Sequence, residues 1–133
     1  MEARLNGFDG CALRRIERIS WRDHVTNVEL RQRTEQPLAS TLAAQGRLRW
    51  YGYVRRMPVN TSTKILADFD PRAEGWQRPR GAPRTRWTDT ISKDLQLLGL
   101  TLADAEPIAL DRKQWRRLVD LISSTRPART RIE

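Results

Sequence analysis

The chain has 133 residues, 38% of them apolar and 31% charged, with a net charge of +9 and a pI of about 11.1. That is the length of one ordinary domain, with a modest core that must lean on its five tryptophans. A single cysteine, Cys11, excludes an intrachain disulfide, no apolar run nears the roughly 18 residues of a bilayer span, and the N-terminus lacks the hydrophobic segment of a secretory signal.

In chain order, residues 1–10 are expected to be loose, with Asn6-Gly7 and Asp9-Gly10 as turn signals. Leu13 and Ile16 among arginines read as a short helix from Cys11, and Ser20-Trp-Arg-Asp23 has the spacing of a capping box. Thr26-Asn-Val-Glu29 repeats that spacing, so the helix should break around His24 and restart, stopping before Pro37. A third helix is predicted over residues 38–57, where Leu42, Leu48, Tyr51, Val54 and Met57 form an apolar surface flanked by Arg47, Arg49, Arg55 and Arg56. Gly46 and Gly52 weaken it by about 1 kcal/mol each relative to alanine. Two readings of these glycines stay open: close approach of another backbone or of a nucleic-acid strand, and simple tolerance.

Residues 64–69 have short extended character and are expected to form a single strand or a clip lying against the helices. Beyond a turn-rich link comes Arg78-Pro-Arg-Gly-Ala-Pro-Arg-Thr-Arg-Trp87, in which Pro79 and Pro83 forbid a helix interior. It is predicted as an extended basic arm running into a helix that starts near Arg86 and ends at Gly99. Thr101-Leu-Ala-Asp104 caps a short helix that Pro107 should kink or end. Asp111 opens the last helix, with Trp115, Leu118, Val119 and Ile122 on one face. The expectation is a mainly α domain of five or six helices with one long basic arm. It divides into a loose start (1–10), an N-terminal helical part (11–57), linker and arm (58–85), a C-terminal helical part (86–123) and a frayed basic tail (124–133).

The charge is concentrated. Residues 44–93 carry eleven basic and four acidic side chains, whereas residues 1–43 carry seven and six and residues 94–125 four and five. Of the 25 basic residues 22 are arginine, whose planar fork suits phosphate and stacks on bases. A basic middle third points to a polyanion partner, RNA or DNA. Candidate nucleic-acid-binding residues are Arg47, Arg49, Arg55, Arg56, Arg78, Arg80, Arg84, Arg86 and Lys93, with Trp76 as a candidate stacking side chain. Arg14, Arg18, Arg112 and Arg116 have acidic neighbours within helix reach and read as an ordinary solvated face. Trp21, Trp50, Trp87 and Trp115 sit on apolar faces and are assigned to the core, as is Cys11.

Enzyme chemistry is not evident. His24 is the only histidine, so a zinc site of the Cys/His kind lacks ligands, and no phosphate-binding Gly-Lys-Ser/Thr loop is present. Asp23 beside it reads as a helix cap. No metal, cofactor or small-molecule substrate is expected.

The order of segments resembles a known family. The blocks are Leu13-Arg-Arg-Ile16 with Ile19-Ser-Trp-Arg-Asp23 and Asn27-Val-Glu-Leu30, then Arg47-Leu-Arg-Trp-Tyr-Gly-Tyr-Val-Arg-Arg-Met-Pro58, then Arg80-Gly-Ala-Pro-Arg-Thr-Arg-Trp87 with Asp94-Leu95 and Gly99-Leu100 behind it, and Asp111-Arg-Lys-Gln-Trp-Arg116. Together they resemble the region after the polymerase domain in endonuclease–reverse transcriptases of LINE-type (non-LTR) retrotransposons. The chain departs from the family at Tyr53, where histidine is usual, at Ala82, where arginine is usual, and at Pro107. The resemblance implies a retroelement origin and a nucleic-acid setting, in the nucleus or cytoplasm. It carries over no polymerase activity, since the Tyr-x-Asp-Asp motif is absent from this sequence. A second expectation is a structural remnant whose helices pack on a polymerase thumb.

Overall fold

The computed structural model describes residues 2–70, 73, 75, 77, 80, 81 and 85–124. Within them the chain is a small all-α domain of seven α-helices and one 3₁₀ turn, with no strand. The helices are α1 (Glu2–Ile16), α2 (Asn27–Thr34), α3 (Ala39–Arg55), α4 (Ser62–Asp68), α5 (Trp87–Gln96), α6 (Leu102–Leu110) and α7 (Arg112–Ser124).

The helix boundaries are chemical. At the 3₁₀ turn Trp21–Asp23, the Ser20 N–H donates to Asp23 Oδ2 at 2.6 Å, and the Arg22 N–H reaches Ser20 Oγ at 3.4 Å. Thr26 Oγ1 accepts from the Glu29 N–H to start α2. The Thr101–Asp104 box starts α6, and Asp111 Oδ1 accepts from the Lys113 and Gln114 N–H groups to start α7. Those backbone and hydroxyl donors hold the Asp104 and Asp111 carboxyls below their ordinary value: for Asp104 mainly the Thr101 hydroxyl, for Asp111 mainly the Gln114 amide. At the far end of α5, Gly99 takes φ +68°, and the Leu100 N–H closes back on the Leu95 carbonyl at 3.1 Å. α6 does not stop at Pro107 but continues to Leu110.

Two expected elements differ from the structure. Residues 2–10 are not loose but helical, because the polar residues that resemble turn signals have tertiary partners. Asn6 exchanges two hydrogen bonds with Ser40, at 3.0 and 2.9 Å, and Asp9 pairs with Arg31. Residues 64–69 are not extended; most of them belong to α4. Lys64 turns back there so that Nζ donates to the carbonyls of Arg55 and Met57, the unpaired C-terminal end of α3.

The core gathers α3, α5, α6 and α7 around Trp115, which is 2% exposed. Leu48 and Tyr51 of α3 meet Ile91 and Leu95 of α5, Ala105 and Ala109 of α6, and Val119 and Ile122 of α7. The Trp115 indole lies on Gly52, where an added Cβ would come within 2.2 Å of Nε1. Its N–H donates to the Leu48 carbonyl at 2.9 Å, so the one polar atom of the ring is satisfied inside the core. Gly52 therefore serves close approach, by a side chain of the same domain. Gly46 has open space around it.

Tyr51 stacks obliquely between Trp87 and Trp115, with ring centroids 6.1 and 5.7 Å away. Trp21 and Trp50, expected in the core, are 79% and 49% exposed, and Cys11 is exposed too. The inward face of α3 is Leu48, Tyr51, Gly52. Trp50 lies about 100° round the helix from Tyr51 and turns outward with Tyr53, 5.3 Å from it. α1 has no buried residue at all.

Candidate nucleic-acid interface

The three arginines of α3, and Arg56 just past its end, point to carboxylates and carbonyls of the same domain. Arg47 grips Asp94 of α5 in a two-pronged bond, Nε to Oδ2 at 2.6 Å and Nη2 to Oδ1 at 2.8 Å. The Asp94 side chain is only 8% exposed. Its hydrogen bond and charge hold the Arg47 guanidinium above its ordinary value, against the opposite pull of partial burial. Arg49 bonds Asp120 of α7 at 2.8 Å. Arg55 bridges Asp68 of α4 and Glu106 of α6, with its guanidinium 5.9 Å from the centre of the Tyr51 ring. Burial pulls Arg55 down, but Asp68, Tyr51 and Glu106 outweigh it and leave it raised. Arg56 donates to the Ala109 carbonyl at 2.6 Å.

These side chains bind α3 to α4, α5, α6 and α7, so a phosphate would have to compete with a partner already in place. Sequence proximity hid this, because Asp94 and Asp120 lie 47 and 71 residues from the arginines they meet.

Of the arm, Arg78, Arg84 and Trp76 lie outside the described residues. Arg80 is exposed. Arg86, which precedes α5, sits 3.6 Å from Asp70, and its N–H donates to Asp89 Oδ2 at 3.0 Å. Lys93 is exposed on α5 and pairs with no described carboxylate.

Arg14, assigned to a plain solvated face, is instead a clasp. Its Nη1 donates to the Val25 carbonyl and its Nη2 to Asn27 Oδ1, both at 2.8 Å. Among the described residues no three His, Cys, Asp or Glu side chains converge as metal ligands, and no helix is long and apolar enough to cross a membrane. No family model, curated protein or solved structure matches the chain.

Proposed function

We propose that the chain is a non-catalytic nucleic-acid-binding module, resembling the region after the polymerase domain of LINE-type reverse transcriptases and holding RNA or DNA by its backbone. One observation supports this reading: among the described residues, exposed cations such as Arg15, Arg18, Arg22, Lys93 and Arg117 form no salt bridge with a described carboxylate. Seven carboxylates (Asp9, Glu29, Asp68, Asp70, Asp94, Glu106 and Asp120) are engaged by arginines, and four more (Asp23, Asp89, Asp104 and Asp111) cap helix starts. A chain with 25 basic and 16 acidic residues, eleven of the acidic ones already engaged, suits a polyanionic partner. Arginine on flexible stems positions a strand by its phosphates rather than reading its bases.

A filter-binding titration tests it. With about six phosphate contacts, affinity falls about 10³-fold between 50 and 200 mM salt. Absence of binding at low salt, or a flat salt response, defeats the proposal.

A second reading is favoured by the exposed apolar side chains Phe8, Trp50, Tyr53, Leu66 and Phe69, each at least 49% exposed. On this reading the chain is a helical appendage, or a structural remnant, whose outer faces pack on a larger polypeptide. A broad, non-cooperative thermal melt of the isolated chain favours the appendage; a sharp one favours the self-sufficient module.

A further inference from the structure

The corner where α1 meets the 3₁₀ turn gathers what the α3 face lacks. An open concavity of about 460 Å³ is lined by Cys11, Arg14, Arg15, Arg18, Ile19 and Ser20. Arg15 and Arg18 are exposed and form no salt bridge with a described carboxylate. Arg14 is fixed in place, but by a carbonyl and an amide oxygen, both neutral, so its charge is held without being cancelled. Of the two carboxylates in this stretch, Asp23 is committed to the Ser20 N–H, and Glu17 is exposed with no cationic partner among the described residues.

Next in sequence to Ser20, which lines the concavity, comes Trp21, 79% exposed, an unusual position for the residue type that buries most area. Its backbone is pinned in a turn closed at both ends, by the Ser20–Asp23 box and by His24 at φ +49°. The Arg22 guanidinium lies 5.5 Å from the ring centre. An indole backed by a cation and open to solvent is a ready surface for a flat ring. The cations at the start of α7 (Arg112, Lys113 and Arg117) have no such plane beside them, since Trp115 is buried.

We propose that the α1–3₁₀ corner is a contact site for single-stranded nucleic acid, with phosphates at Arg14, Arg15 and Arg18 and a base stacked on Trp21. The proposal rests on the nucleic-acid reading above and gives that reading a place in the fold. A rigid aromatic ring costs little entropy to engage, and its stacking is tolerant of base identity. The arginines supply the salt-dependent part of affinity and the ring supplies a part that salt barely touches.

The test uses the full chain and fluorescein-labelled 20-nucleotide oligouridylate and oligothymidylate, with anisotropy read from 50 to 200 mM salt. Arg15→Ala/Arg18→Ala should weaken binding about tenfold and lower the log–log salt slope by about one to two. Trp21→Ala should weaken binding about tenfold with the slope unchanged, and Trp21→Phe should restore most of the loss. These side chains are exposed, so circular dichroism melts of all three variants should match the parent. If the corner variants bind like the parent while Arg78→Ala/Arg80→Ala/Arg84→Ala loses binding, the corner site is wrong and the nucleic-acid reading survives. If the parent binds neither oligonucleotide at 50 mM salt, both fall.

Discussion

Helices α3, α5, α6 and α7 meet through one continuous apolar cluster around Trp115, whereas polar side chains tie α1 to α3 and to the α2 segment. In the first region, nine buried residues share contacts and the polar bonds are accessories. In the second, Val25 and Leu30 are the buried apolar residues, and orientation comes from Asn6 on Ser40, Arg14 on the Val25 carbonyl and Asp9 on Arg31. Apolar burial is non-directional and collective, so it resists small changes but not large clashes. A polar clasp depends on the geometry of a few groups, and each is nearly replaceable by water.

The sharpest way to break the first region is Gly52→Ala. The new methyl group would overlap the Trp115 indole, which cannot retreat without losing its bond to Leu48, and urea denaturation should show a loss of about 3 kcal/mol. Gly46→Ala on the same helix meets nothing and should gain up to about 1 kcal/mol. Equal responses at the two glycines would mean that Trp115 is not seated as described.

The next effect separates the partners of one ion pair. Arg47→Ala leaves the Asp94 carboxylate nearly buried and unpaired and should cost about 2–3 kcal/mol. Asp94→Ala should cost less, because the Arg47 side chain is already 36% exposed and can turn to water. A reversed order in chemical denaturation would show that the pair holds α3 to α5 by some other means.

The smallest effect is expected from the polar clasp. Asn6→Ala removes both bonds to Ser40 and should cost about 1 kcal/mol, felt locally. Hydrogen exchange should quicken in α1 while amides of α5 and α7 keep their protection. Faster exchange throughout the chain would merge the two regions into one cooperative unit.

Most helix starts were legible because a cap is a local signal. Ser20 with Asp23, Thr26 with Glu29, Thr101 with Asp104 and Asp111 each act within three residues of sequence. Gly99 at the end of α5 and the Trp115 face of α7 were legible for the same reason. What was not legible lies at long range. Nothing next to Asn6 announces Ser40, and nothing next to Arg47 or Arg49 announces Asp94 or Asp120. Arginines counted as unopposed along the chain proved opposed in space. The reverse held at Arg18, which has Glu17 beside it in sequence and no described carboxylate bonded to it. Trp21 was misplaced because apolar character alone assigns tryptophan to an interior, and only the capped turn turns it outward.

The seating of Trp115 has an optical consequence. Its ring is dry and its N–H is bonded, while Trp21 and Trp50 stand in water, so the chain carries emitters of both kinds. Indole fluorescence moves to longer wavelength when solvent reaches the excited ring. Opening of the core will therefore redden the emission, while a dissolved quencher reaches Trp21 and Trp50 before Trp115 in the native protein. Without any attached dye, the colour of the emission follows the core and its quenchable fraction follows the outer surface.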